Sequence, residues 1–313
     1  MTGAGSFRLD VYLAGERKRV DQALRRAMER YGALLSPHLA PVAGDSLLSG
    51  GKRLRPILCV AAFRACGRVA RRPAPPPADL PVGIYEVAAS IEMIHAYSLM
   101  HDDLPCMDDA PLRRGAPTAH TVHGEVATMR AGLALIPLAA LHCWEAAGRL
   151  GLGRRRRRRL VSTLMRAASA RGMVGGQAAD LLAEGRELSK GELDTLHRMK
   201  TGALLRASVC LGAVAASAEP DAVAALDAYG RAIGLAFQIA DDVLDATADA
   251  ERIGKEPSDA ALGKSTYVRF LGVEAARDEA RQVAAGGLGA LRRAGIDSAE
   301  LDALARYAAS RDR

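Results

Sequence analysis

Apolar residues recur three and four positions apart, the spacing of a buried helical face, in segment after segment of this chain. The segments are Val20 to Leu39, Leu54 to Cys66, Val82 to His101, Glu125 to Leu150, Leu160 to Ala183, Lys190 to Ala216, Ala222 to Ala246, Val273 to Ala294 and Ser298 to Ser310. Strand-like alternation bounded by hairpin turns is scarce. Alanine and leucine dominate and aromatics make up only 4%, a composition that favours helices over sheets. The pattern therefore predicts an all-α fold. The stretch RRPAPPPADLP, from Arg71 to Pro81, cannot be helical inside and reads as an exposed connection. Only about 70 residues precede it, so residues 1–313 read as a single domain, one large helical bundle whose loops carry the polar motifs.

A hydrophobic share of 49% supplies ample core, and no apolar run is expected to reach the roughly 18 residues of a membrane span. The start, MTGAGSFRLDVYLAGERKRV, lacks the apolar centre of a signal peptide, so no stable membrane anchor is expected. The five cysteines, Cys59, Cys66, Cys106, Cys143 and Cys210, form no CxxC pair, which suits a reduced, cytoplasmic compartment. Much of the net charge of +7 sits in one run, Arg154 to Arg159. The run follows GLG and leads into LVSTLM, with no aromatic residues beside it for base stacking. Six arginines could bind nucleic acid or anionic lipid, but the run reads as the solvated start of a surface helix, and no nucleic-acid partner is expected.

The chemistry concentrates in two acidic stretches. LMHDDLPCMDDAPLRRG, Leu99 to Gly115, places four aspartates within eight residues at the end of an apolar helix and follows them with two arginines. Like charges that close together repel unless a cation neutralises them. Asp102 and Asp108 would lie about 240° apart on an unbroken helix, and Pro105 supplies the interruption that lets them converge. The second stretch, AFQIADDVLDATAD, sets Asp241, Asp242 and Asp245 in an otherwise apolar helix, with Asp241 and Asp245 on one face. Carboxylates on a buried helix must face a cavity or meet a severe desolvation cost. The two stretches lie about 140 residues apart and suggest two walls of one cleft. Oxygen-only ligands favour Mg²⁺, which retains waters and bridges to phosphate oxygens.

These motifs, DDLPCMD with LRRG behind it and DDVLD preceded by FQ, resemble those of the trans-isoprenyl diphosphate synthases of the farnesyl and geranylgeranyl type, the polyprenyl synthetases. The resemblance extends in order through GGKRLRP, IHAYSLMHDD, GGQAADL, KTGALLR, GLAFQ and GKST, from Gly50 to Thr266. It implies a helical bundle of the isoprenoid synthase type around a deep central cavity. By the same resemblance, Asp102, Asp103, Asp108, Asp241, Asp242 and Asp245 hold Mg²⁺, three ions per site, with Mn²⁺ as a substitute. Lys52, Arg55, His95 and Arg114 hold the diphosphate of isopentenyl diphosphate. Arg113, Lys200, Lys255 and Lys264 serve the allylic diphosphate, dimethylallyl or geranyl. Lys200 and Thr201, with Gln238, surround the carbocation at a helix kink around KTG.

The implied reaction is ionisation of the allylic diphosphate, attack by the isopentenyl double bond and loss of a proton, with water excluded. The resemblance also makes Tyr97 the floor of the product tunnel. Ser98 is nearer the face of Asp102 on a helical wheel, so both are chain-length candidates. A ring at 97 implies a C15 product, farnesyl diphosphate. Ala110 and Leu133 replace acids found in many relatives and point instead to geranylgeranyl diphosphate. A terpene cyclase of the same fold, or a non-catalytic subunit, is the alternative of another class. GGKRLRP, a second basic diphosphate site, argues against the first, and two intact aspartate clusters argue against the second. The family also implies a homodimer, for which Ile136, Leu138 and Leu141 form a candidate apolar stripe.

Overall fold

The structure, a computed structural model, describes residues 7–69, 80–247 and 265–310. Lys255 and Lys264 lie outside the described residues, as does most of the proline-rich connection. The elements in chain order are α1 (Leu9–Tyr31), α2 (Ala40–Leu48), α3 (Leu54–Val69), α4 (Val82–Asp102), β1 (Leu112–Arg113), β2 (Ala116–Pro117), α5 (Ala119–His123), α6 (Glu125–Arg149) and α7 (Arg154–Ala168). They continue with α8 (Met173–Leu182), α9 (Lys190–His197), a π-helical turn (Arg198–Gly202), α10 (Ala203–Ala215), α11 (Pro220–Thr247), α12 (Tyr267–Leu271), α13 (Val273–Arg293) and α14 (Ala299–Ala309).

Most expected helices are present, and the departures have local causes. Helix α1 begins eleven residues before the expected Val20 because its buried stripe, Tyr12, Glu16, Val20, Leu24 and Tyr31, includes a glutamate that hides the apolar period. The expected helix from Leu160 to Ala183 is two helices. Between them the Ser169 hydroxyl bonds the Arg166 carbonyl and accepts from Arg171 N–H, offering the backbone a turn in place of the next helical bonds. Helix α6 has the length and hydropathy of a membrane span, contrary to the expectation that no segment reaches that threshold, but it is a bundle helix with 44% of its apolar window buried. The only strands among the described residues form one small hairpin, with Leu112 opposite Pro117 and Arg113 opposite Ala116.

The bundle holds two apolar clusters. One gathers α2, α4, α6, α7 and most of α1, and the other gathers α11, α13, α14 and most of α3, while α1, α3 and α10 contribute side chains to both. Small residues set the helix spacing. A Cβ on Gly212 of α10 would stand 2.1 Å from the Cys59 carbonyl of α3, so these two backbones touch. Helices α4 and α6 run antiparallel: Gly132 of α6 meets Tyr97 and His101, whereas Gly83 meets Leu150 at the other end. Of the candidate dimer stripe, Leu138 is buried within the subunit, Ile136 is half-buried and Leu141 is exposed. The face left open on α6 consists instead of Val126, Met129, Leu133 and Leu141.

Candidate active site

Helix α4 ends at Asp102, and the chain then turns back on itself. The Asp108 N–H donates to the Asp102 carbonyl at 2.9 Å, and Met107 and Asp109 both donate to the Leu104 carbonyl. This compact reversal around Pro105 brings Asp108 beside Asp102, as the spacing required. Burial pushes the Asp102 carboxyl up to about 7, reinforced by Asp108 and Asp103 and opposed by Lys200 and Arg113. Uncompensated negative charge in a buried place is the situation a divalent cation relieves, and the oxygen-only donor set suits Mg²⁺.

Asp103 is differently engaged. Arg113 Nε lies 2.8 and 2.9 Å from its two oxygens, and a guanidinium Nη adds a contact at 2.6 Å. The hairpin explains why neighbouring arginines part company. Arg114 and Gly115 both have positive φ, the two-residue turn whose twist matches a β-hairpin. Arg113 therefore faces the acidic cluster, while Arg114 reaches the glycine loop and donates to the Gly50 carbonyl at 2.9 Å.

That loop builds a second, basic corner. Gly51 has φ +127°, a backbone shape that favours glycine, and the Arg114 guanidinium lies close over it. Arg55 Nη1 stands 3.2 Å from His95 Nε2. Burial, with the Arg55 and Arg114 cations beside it, pushes His95 well below its usual range, so the ring is neutral at pH 7. Arg55, His95 and Arg114 thus come together. Lys52 points elsewhere, with Nζ 5.9 Å from the Tyr307 ring, at the edge of a cavity of about 240 Å³ between α1 and α14. Arg53 serves the fold, bonding Asp21 and Glu92 at 2.8 Å each and the Leu47 carbonyl.

The second acidic stretch lies among α8, the π turn and α11. A Cβ on Gly176 would stand 2.2 Å from the Lys200 nitrogen, so α8 lies directly on the turn. The π turn confirms the expected kink at KTG. Lys200 Nζ reaches Asp180 at 2.5 Å, and the Thr201 hydroxyl donates to Gln238 Oε1 at 2.7 Å. A cavity of about 90 Å³ is lined by Asp180, His197, Lys200, Gln238, Asp242 and Thr266, among others. Asp241 and Asp245 are half-buried on α11, whereas Asp242 is buried. Asp242 accepts the Tyr267 backbone N–H at 2.8 Å, and His197 Nε2 lies 3.5 Å away. The His197 ring stacks on Tyr267, whose hydroxyl donates to Asp194.

Tyr97 is buried edge-on to His101, with ring centroids 4.7 Å apart, and meets α6 at Gly132. The Ser98 hydroxyl donates to the His95 carbonyl at 2.8 Å, which turns it back onto its own helix. Sequence reasoning gave no role to Asp180, His197, Tyr267 or Asp194. It also passed over Gln177, a buried amide without a protein partner for either its oxygen or its nitrogen. GGQAADL contained two of these, and only the packing of α8 onto Lys200 singles them out.

Two carboxylate clusters with basic side chains beside them, on an all-helical frame, have the chemistry of a site for anionic ligands. A family model described as polyprenyl synthetase matches residues 37–296, and the chain belongs to that family. It is 42% identical to a farnesyl diphosphate synthase of Escherichia coli K12, over 95% of this chain and 96% of the relative. It is also 41% identical to the chloroplastic geranylgeranyl pyrophosphate synthase 12 of Arabidopsis thaliana, over 85% of this chain and 72% of that one. Among solved structures, an apo FPP/GFPP synthase from Zymomonas mobilis superposes with a TM-score of 0.80 at 32% identity, covering 96% of this chain and 99% of its own.

Proposed function

We propose that this chain is a trans-prenyltransferase that condenses isopentenyl diphosphate with dimethylallyl or geranyl diphosphate to give farnesyl diphosphate. The observation that carries the reading is the sorting of the basic residues. One set, Arg55, His95 and Arg114, gathers beside the glycine loop, and the other, Arg113 and Lys200, lies beside the aspartates. An enzyme that holds two diphosphates at once needs two such sets. Asp102, Asp108, Asp241 and Asp245 would hold Mg²⁺, which when bound supplies Lewis-acid pull on the allylic diphosphate. Asp103 and Asp242 belong to the same clusters and also carry the protein contacts described above. Family practice supplies the count of three ions and the tolerance of Mn²⁺.

Arg113 and Lys200 neutralise the departing diphosphate. Neutral His95 donates or accepts a hydrogen bond without adding charge beside Arg55 and Arg114. The Thr201 hydroxyl, the Gln238 amide and the carbonyls loosened at the π turn present negative dipole ends to a cation. Lys255, Lys264 and Lys52 complete the binding set by family correspondence. The family model's unbroken match over 37–296 supports a single domain, and a homodimer would cover the open face of Val126, Met129, Leu133 and Leu141 on α6. Five free cysteines, four of them buried, suit a reduced cytoplasm.

The test is incubation with isopentenyl diphosphate, Mg²⁺ and each allylic primer, followed by chromatography of the dephosphorylated products. A C15 alcohol is expected, and activity vanishes with chelator and returns with Mg²⁺. A C20 product moves the assignment to a geranylgeranyl synthase. A cyclic hydrocarbon formed without isopentenyl diphosphate overturns it.

A further inference from the structure

The six arginines from Arg154 to Arg159 open α7. Solvation accounts for their exposure but not for their number or their place. The first turn of a helix favours anions, and here it carries only cations. Arg154 and Arg158, and likewise Arg155 and Arg159, are like charges four residues apart, which also destabilises a helix. Gly153 provides no side-chain cap. Arg157 alone of the six is engaged, with its guanidinium 4.1 Å from the centre of the Trp144 ring and Nε on the Trp144 carbonyl. The other five side chains are exposed, and among the described residues none meets a carboxylate. The neighbouring acids are already used: Glu86 by Arg149 and Arg30, and Glu145 by Tyr31 and Arg149.

Apolar side chains flank this charge at the same end of the bundle. Val82, 57% exposed, opens α4 next to Gly83, which abuts Leu150 just before the arginines. Leu34, 65% exposed, lies one turn beyond Tyr31, whose hydroxyl donates to Glu145 in the last turns of α6. Helix α4 runs 21 residues, about 30 Å, from this end to Asp102, so a contact here leaves the mouth of the cleft open.

We infer that this end of the molecule is a peripheral docking surface for an anionic lipid bilayer, with the arginines against the headgroups and Val82 and Leu34 dipping among them. Clustered arginines beside small apolar projections match such a surface in charge and in chemistry. Nucleic acid fits less well, because a strand binds through stacked bases as well as phosphates. Trp144, the aromatic ring beside the arginines, is covered by Arg157.

The experiment is co-sedimentation of the full chain with vesicles of mixed phosphatidylglycerol and phosphatidylcholine, against vesicles of phosphatidylcholine alone and against a short single-stranded RNA. Binding only to the anionic vesicles is expected, falling steeply at about 0.5 M salt. Changing Arg154, Arg155, Arg156, Arg158 and Arg159 together to Gln should lower the partition coefficient at least about 100-fold. Val82→Ser with Leu34→Ser should lower it about fivefold. Turnover in vesicle-free buffer stays at the parent value in both variants, which shows that they are folded. Equal binding to neutral vesicles, tighter binding to RNA than to anionic vesicles, or full vesicle binding by the Gln variant overturns the inference.

Discussion

The two aspartate clusters are built in different ways. The first is a chain reversal after α4, in which Asp108 folds back onto the Asp102 carbonyl and Arg113 takes up Asp103. The second is an unbroken stretch of α11, where Asp241 and Asp245 share a face and Asp242 turns inward to hold Tyr267. In each cluster, therefore, a carboxylate contact fixes the local chain: Asp103 with Arg113, and Asp242 with the Tyr267 N–H. Adjacency in sequence does not make two carboxylates equivalent.

The sharpest way to break this comparison is to remove the outward carboxylate from each wall. Asp102→Ala and Asp241→Ala should each lower kcat roughly 10³-fold, about 4 kcal/mol of transition-state stabilisation. Steady-state assays at saturating Mg²⁺, with circular dichroism to check folding, read the effect. Near-normal turnover in both variants defeats the two-wall arrangement.

Next in size is the split between the basic sets. Arg55→Ala removes binding common to ground and transition states, so KM for isopentenyl diphosphate should rise by roughly 10- to 100-fold with kcat little changed. Lys200→Ala acts beside Asp102 and should instead lower kcat by a similar factor. If the two effects are exchanged, the basic residues have been divided wrongly.

Asp242 supplies a finer test. Asp242→Ala leaves the buried Tyr267 N–H without an acceptor and should cost about 1–3 kcal/mol in urea denaturation. Asp242→Asn keeps an acceptor oxygen but not the charge. Stability near the parent's, with kcat reduced less than about tenfold, is the outcome expected of a residue that mainly tethers the chain. A kcat loss as large as that of Asp241→Ala makes it a metal ligand of equal weight.

The contrast between the walls also marks what a sequence can carry. Helix positions were legible because burial repeats with the period of the backbone, and Pro105 announced the reversal because it cannot continue a helix. The π turn was legible as a weak point, since glycine inside a helical pattern signals one. The partners of Asp103 and Asp242 were not. They come from a hairpin ten residues on and from a helix start 25 residues on, pairings set by tertiary packing rather than by any local pattern. The Asp45 to His123 contact across 78 residues escaped for the same reason. The glutamate inside the buried stripe of α1 shows the converse, a buried polar residue erasing a true helical signal.

The smallest expected effect, one isoprene unit, bears on where the growing chain runs. Behind the second wall there is no room: a Cβ on Gly234 of α11 would stand 2.8 Å from the Cα of Gly202, so the two backbones are in contact. The first wall is different, because α4 and α6 are separated there by side chains that a substitution can shorten. Tyr97 is the largest of them near Asp102, about 7–8 Å before it along the helix axis and packed on His101 and Gly132. Ser98 is small and bonded to its own helix, so it offers less of an obstacle. Leu133 is exposed on α6, so its difference from the relatives is expected to bear on the open face more than on length. Tyr97→Ala should shift the main product from C15 towards C20, read by chromatography of the dephosphorylated alcohols, while Ser98→Ala leaves it unchanged. Removing the ring also opens a cavity, so a stability loss of about 3–5 kcal/mol is expected alongside. Tyr97→Phe, which keeps the ring, should retain both the stability and the C15 product. If Tyr97→Ala folds and still stops at C15, the floor lies elsewhere on the first wall.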